Sequence, residues 1–468
     1  MLALSLLAAG MASAQSRAPA TQAGTRASDK PLQEELGRKL FFDTTLSSPE
    51  GQACSSCHAP STGWRFPDSD VNEAFGVVTG AVDGRFSNRS APTLSYATFI
   101  PKGPPGAHLN LAGKMAPVSE LLFIGGMFWD GHAEDLETQA AFPFQHPNEM
   151  NNLVHGMGNP AAVVRKVAGG EYAALFRRVY GKDAFSLPTE ILFGDICQAI
   201  AAYERTPVFA PFSSKYDAYL AGKATLTAEE LDGLRLMTGT VDGFPSGEPY
   251  RKNAQCIACH GIEDAGAAAH SMWTFFCFSN IGVPRNEANP FYAQTDPVSN
   301  PKGFNPLGAG YTDLGLGAFL YPLNDLPPGN MGPGSNGIGD FLAINGTFKA
   351  PTLRNVDMRP RPDFVKAYMH NGVFKSLKEV VHFYNTRNLT TVPGEIIDFT
   401  RHDPYAGLVG TPLWPRPEVA SAESILNAEG FLGIEGGQVG NLGLTEEEED
   451  HLVAFMKTLT DGFFEPGG

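Results

Sequence analysis

Leucines 32, 36 and 40 recur every four residues in PLQEELGRKLFF, which places them on one helical face. A second helix is predicted from Thr227. Glu230 completes a capping box there, and Leu231, Leu234 and Leu236 follow. A third is predicted from Thr445 with Glu448, burying Leu452, Phe455, Met456 and Leu459 and stopping at Gly462. The apolar run ILFGDICQAIAAY reads as helix-like and buries Cys197. Few stretches alternate as strands do. Proline-rich loops are predicted over 101–118, 323–335 and 411–418. The class is mainly α, with long loops and little β structure.

Two of these helices precede one five-residue pattern, CSSCH at 54–58 and CIACH at 256–260. The chain therefore repeats itself coarsely: helix, loop, CxxCH, then a long loop-rich stretch. A boundary falls near residue 220, giving an N-terminal domain over 31–220 and a C-terminal one over 221–468. A chain of 468 residues, 43% hydrophobic and with 32 Phe, is too long for one ordinary core and fits this division. Its 52 Gly and 36 Pro agree with many loops.

Charge and the N-terminus change the picture in two ways. A formal net charge of −16 argues against nucleic acid as a partner, since that binding needs a basic face. An acidic surface suits a basic protein partner or serves solubility. MLALSLLAAGMASAQ is apolar and ends in an A-x-A pattern, so 1–14 reads as a secretory signal peptide, although no Lys or Arg precedes the run. Residues 15–30 read as a flexible tether. No other stretch is long and apolar enough to span a bilayer, so the expected product is soluble and exported to the periplasm.

A CxxCH can hold a haem covalently: both thiols add across its vinyl groups, and the adjacent His becomes an axial iron ligand. A thioredoxin-like CxxC would need a βαβ setting that the pattern lacks, and a four-cysteine zinc site would leave both histidines unexplained. By composition, about 0.002 random CxxCH are expected in such a chain. Cys54, Cys57 and His58 are thus expected to hold one haem, and Cys256, Cys259 and His260 a second. Cys197 and Cys277 remain, and a disulfide between them is compatible with export.

The residues between and after these motifs add a resemblance. FWDGHAEDLETQAAFPFQHPNEM (128–150), FKAPTLRNVDMRP, YMHNGVFKSLKEVVHFYNTRN and GNLGLTEEEEDHLVAFMKTLTDG resemble bacterial di-haem cytochrome c peroxidases and their MauG branch, over roughly residues 30–460. The resemblance implies two cytochrome c-type haem domains, the N-terminal one reacting with hydrogen peroxide and the C-terminal one receiving oxidising equivalents. Motif by motif it implies Trp129 as relay between haems, Gln139 in the distal pocket, Pro143 in its loop and Glu149 as the group that moves a proton on peroxide. A carboxyl over the haem can take that proton and return it, best in a dry pocket. Gln139 can orient peroxide by hydrogen bonds.

Several positions depart from the peroxidases. No His lies between 59 and 107, where many of them carry a distal ligand, so an open N-terminal haem is expected; His108 is the nearby substitute. The C-terminal distal ligand, Met in those enzymes, falls on Tyr384, as in MauG-like proteins, with His382 as rival. A phenolate lowers the reduction potential of a ferric haem. The Arg usual after WDG is His132. His370 is expected to support structure or a proton network. The family often places calcium between the haems, but its amide position is Ser90 here and its carbonyl loop, DFVKAYMH, also differs. The implied partners are hydrogen peroxide and either an electron-donor redox protein or a protein substrate with an oxidisable Trp or Tyr. Two other readings stand beside this one: an electron carrier or redox sensor without turnover, and a dioxygen-using haem enzyme.

Overall fold

The computed structural model describes residues 29–102, 124–244, 247–262, 271–294, 305, 307–320, 345–390, 406–420 and 439–464. The expected signal peptide, most of the tether, His108 and most of the loops at 101–118 and 323–335 lie outside these residues. The molecule is mostly helical, with little sheet.

Eight helices of eight residues or more organise the described chain: α1 (Lys30–Phe41), α2 (Leu136–Gln145), α3 (Pro160–Gly169), α4 (Ala173–Tyr180), α5 (Thr189–Glu204), α6 (Ala228–Thr238), α7 (Leu377–Thr386) and α8 (Glu446–Lys457). The capping boxes expected at Thr227 and Thr445 form, and Ser376 with Glu379 makes a third at the start of α7. α8 ends at Lys457 instead of running to Gly462, because Thr458 caps it and its N–H turns back to the carbonyls of Phe455 and Met456. Leu452, Phe455, Met456 and Leu459 are all buried. Among the described residues sheet is confined to two two-residue ladders: β1 (Leu153–Val154) antiparallel to β2 (Met157–Gly158), and β3 (Phe278–Ser279) antiparallel to β4 (Phe348–Lys349). Among the described residues no helix is long and apolar enough to cross a membrane.

The first helix before each CxxCH packs on a later helix in the same way. α1 crosses α5 at Gly37, where an added Cβ would lie 1.8 Å from the Ala199 carbonyl oxygen; α6 crosses α8 at Gly233, where it would lie 2.0 Å from that of His451. Only glycine lets the backbones approach so closely. Around the first crossing Leu36, Leu40, Phe41, Phe176, Ile196 and Phe209 form one core; around the second, Leu234, Leu236, Trp273, Phe383, Leu452 and Phe455 form another. Each CxxCH turn sits at the edge of its own core, with Cys54 against the first and Cys256 against the second. Cys197 is buried in the first core, while Cys277 belongs to a separate cluster with Tyr96, Ile124 and Met272, packed against Cys259. Both are free thiols, so the disulfide considered between them is not made.

Candidate functional site: two cavities with a shared wall

Each CxxCH opens onto its own cavity, of about 190 Å³ at the N-terminal motif and about 200 Å³ at the C-terminal one. The local construction is repeated. His58 Nδ1 lies 3.1 Å from the Trp64 carbonyl oxygen, and His260 Nδ1 lies 3.1 Å from that of Trp273. Thr93 Oγ1 donates to the Gly63 carbonyl at 2.6 Å, and Thr352 Oγ1 to the Met272 carbonyl at 2.6 Å, one residue before each Trp. These threonines belong to the two copies of Ala-Pro-Thr-Leu, 91–94 and 350–353. With Nδ1 held by a carbonyl, each imidazole keeps its proton there and leaves Nε2 free as a ligand atom. Burial holds both neutral, down to about 4, against the opposing effect of those carbonyls.

Capping by Asp135, whose carboxylate accepts the Thr138 N–H at 3.0 Å, fixes the start of α2. Leu136, Gln139, Pro143 and His146 then fall at i, i+3, i+7 and i+10, one face of α2 and its cap, and all four line the N-terminal cavity. Beyond the cap a tight turn, closed by Glu149 N–H to His146 O at 3.1 Å and Met150 N–H to Pro143 O at 3.0 Å, sets Glu149 on the same wall. Glu149 stands near enough to Cys57 to add to burial, which pushes that thiol up to about 12. Phe128, His132 and Phe142 close the rim, with the His132 ring stacked on Phe128 at 4.1 Å.

Trp129 lines both cavities, together with Thr93, Lys349, Pro351 and Thr352. It is buried, its indole N–H donates to the Ser90 carbonyl at 2.8 Å, and its own carbonyl accepts the Lys349 N–H at 2.8 Å. Lys349 is itself buried, and burial, against the pull of Asp130, brings its amine down to about 7. The C-terminal cavity is lined by Cys256, Cys259, His260 and Tyr384. Burial first, then the neighbouring Cys259 and Cys256, push the Tyr384 phenol up. His382 is not on that lining. It faces away on α7, with Nδ1 2.9 Å from Glu449 Oε1.

Other positions are also settled. His132 pairs with Asp130 at 2.6 Å, and Arg89 bridges Asp130 (2.7 Å) and Asp313 (2.6 Å), so a guanidinium reaches this network from elsewhere in the chain. His370 lines the C-terminal cavity, stacks on Phe348 at 3.5 Å, and has Nε2 3.9 Å from Glu418 Oε2. Sequence reasoning missed Arg89, Glu418 and His146. The first two are visible only through long-range contacts; His146 was readable from its spacing to Gln139 and Pro143.

Comparison with known proteins agrees with this geometry. Residues 31–225 match the family model described as di-haem cytochrome c peroxidase. The chain belongs to the di-haem cytochrome c peroxidase and MauG family and is an oxidoreductase of that class. It is 31% identical over 452 residues to methylamine utilization protein MauG of Paracoccus denitrificans, covering 95% of this chain and 93% of that one. It is 27% identical to cytochrome-c peroxidase IdrP1 of Denitromonas iodatirespirans, over 92% of this chain and 83% of that one. Its fold resembles that of the diheme peroxidase BthA of Burkholderia thailandensis, with a TM-score of 0.64, 27% identity and coverage of 92% and 87%.

Two haem groups go with this family, and the residues present fit them: two cavities, each with a paired thiol turn and a neutral imidazole whose Nδ1 is held by a carbonyl. Calcium does not fit the place the resemblance gave it. The small cavity there, about 10 Å³, is lined by Arg65, Asn72, Ser90 and Lys366 among others, with no carboxylate. Ser90 Oγ is engaged by the Met369 carbonyl (2.8 Å) and Arg65 (3.2 Å). The buried Lys366 amine donates to the carbonyls of Asn355 (2.9 Å) and Met358 (3.0 Å), which takes up two of the nearby oxygens. Burial first, then Arg65, disfavour the charged form of Lys366. A calcium ion needs six to eight oxygens, preferably anionic. Dialysis against EGTA is therefore expected to leave the ferric spectra and peroxide reaction unchanged, with no stoichiometric calcium by elemental analysis; a chelator-induced loss restored by calcium would refute this.

Proposed function

We propose that the chain holds two covalently attached c-type haems, on Cys54/Cys57 and Cys256/Cys259, and reduces hydrogen peroxide at the N-terminal one. A bound haem supplies an iron that can take up peroxide and accept oxidising equivalents. The chain's own residues do the rest. His58 and His260 would hold the two irons, and Tyr384 would be available to the C-terminal one, its phenol giving up a proton only to a cation at its oxygen. At the N-terminal cavity Gln139 orients peroxide, Pro143 keeps the wall apolar, and Glu149 takes and returns a proton.

The observation that carries this reading is Trp129, one indole in the wall of both cavities, with Gln139 and Glu149 on one side and Tyr384 on the other. That shared wall supports a role for Trp129 in passing electrons between the haems. These are drawn in turn from a redox protein or from an oxidisable Trp or Tyr of a protein substrate; Tyr384 and the absence of His over 59–107 favour the second. The N-terminal segment supports action in the periplasm.

The test is an EPR spectrum of the diferric protein before and after one equivalent of hydrogen peroxide. One high-spin and one low-spin signal, both lost rapidly, are expected. Two low-spin signals indifferent to peroxide would favour an electron carrier. Tyr384→Phe is expected to convert the low-spin signal; an unaltered one would move the ligand elsewhere.

A further inference from the structure

His146 and Glu149 face each other at the mouth of the N-terminal cavity, with Nδ1 3.5 Å from Oε1. The two groups differ in reach. The His146 side chain is 43% exposed and that of Glu149 26%, so the imidazole is the more solvent-exposed of the two. His146 Nδ1 also lies 3.3 Å from the Asn148 backbone nitrogen, whose N–H it accepts when neutral. In that state the Nδ1 lone pair is spent on the Asn148 N–H and Glu149 meets no donor there. One proton on Nδ1 makes the contact a charge-assisted one, imidazolium beside carboxylate.

We infer that His146 and Glu149 act as one proton-holding unit, with His146 the positioning residue that sets the charge of Glu149 and exchanges its proton with solvent. This rests on the role given to Glu149 above. When bound peroxide loses a proton, an O–H bond breaks there and one forms on the pair. The O–O bond then breaks as the same proton goes to the outer oxygen, which leaves as water; the inner oxygen takes up two electrons, and the pair ends as it began. The two electrons come from the haem groups. A carboxylate alone could do this only once its own protonation is right; the imidazole beside it gives the proton a second site and a path to solvent. The other titratable or charged groups nearby are Cys57 on the CSSC turn, His132 with Asp130 across the rim, and Arg85. Arg85 is directed to the backbone of the turn, 3.1 Å from the Pro147 carbonyl and 2.9 Å from Asn151 Oδ1.

The haem-loaded protein tests this with His146→Gln, Glu149→Gln and the double variant. Stopped-flow reaction with peroxide is followed from pH 5 to 9, and cyanide affinity is measured over the same range as an equilibrium readout, since HCN must also leave its proton on a distal base. His146→Gln is expected to slow the peroxide reaction about 10- to 100-fold at pH 7, to change the pH dependence of both profiles, and to add nothing to Glu149→Gln in the double variant. His146→Asn should behave as His146→Gln. Wild-type pH profiles in His146→Gln, or additive effects in the double variant, would overturn the pairing while leaving Glu149 in place. A low-spin N-terminal signal in the wild type that becomes high-spin in His146→Gln would make His146 an iron ligand and also overturn it. Full activity in Glu149→Gln would remove both readings.

Discussion

Glu149→Gln should slow the reaction with hydrogen peroxide by about 100- to 10,000-fold, the range a positioned general acid–base contributes. The substitution keeps shape and hydrogen-bonding reach but removes the atom that takes the proton. It should leave the protein otherwise intact. The turn that carries Glu149 is closed by backbone bonds to His146 and Pro143, and by Arg85 on the Pro147 carbonyl, none of which uses the carboxylate. Mass spectrometry should still find two haems, and the diferric EPR spectrum should be unchanged. The rate of signal loss after one equivalent of peroxide is the measurement. An unchanged rate with both haems attached would take Glu149 out of the chemistry and leave Gln139 and His146 as the polar side chains of α2 and its cap on that wall. Slow reaction with a missing haem would instead report a folding defect.

What the sequence made legible was local. CxxCH, the capping boxes at Thr227 and Thr445, and the run from Trp129 to Glu149 are short patterns whose geometry follows from nearby residues, and the structure gathers them as expected. The end of α8 was misjudged because a glycine is one of several ways to stop a helix, and Thr458 came first. The helices α3 and α4 went unread amid short, mixed patterns. The two Ala-Pro-Thr-Leu copies were in plain view, yet their meaning lies in contacts some 30 to 80 residues away, Thr93 to Gly63 and Thr352 to Met272. Calcium was carried over by position alone, and the side chains decide against it: Lys366 and Arg65 come together only through the fold. The sequence register already pointed to Tyr384; that His382 lies off the cavity lining needed the direction of each side chain on α7. Two residues apart on a helix point about 160° apart, and Glu449 claims the histidine.

The second large effect concerns the segment that holds His260. Asp217, in the short helix Lys215–Leu220, forms a two-pronged pair with Arg354, Nη1 and Nη2 each 2.9 Å from a carboxylate oxygen. Both side chains are almost fully buried, at 2% and 0% exposure. Arg354 also donates from Nε to the Ser271 carbonyl at 2.7 Å and lies over the rings of Tyr96 and Phe212. Thr352, two residues before it, holds the loop ahead of Trp273, whose carbonyl holds His260. Asp217→Ala leaves a buried guanidinium uncompensated, so a loss of about 3–5 kcal/mol is expected, read as a lower urea midpoint by circular dichroism. Because the same segment shapes the C-terminal cavity, haem attachment at Cys256 and Cys259 should fall while that at Cys54 and Cys57 persists. Replacing both partners, Asp217→Leu with Arg354→Met, should recover most of the stability, since no charge is then stranded. The sign of the pH dependence follows from Asp217 itself. Burial opposes its ionisation, but the bonds from Arg354 prevail and hold the carboxyl below its ordinary value. Its contribution is therefore full above the ordinary carboxylate range and fades as pH falls through the lowered value. The gap between wild type and Asp217→Ala should narrow in acid. A cost under about 1 kcal/mol, or a gap that widens in acid, would mean that the pair does not hold this segment in place.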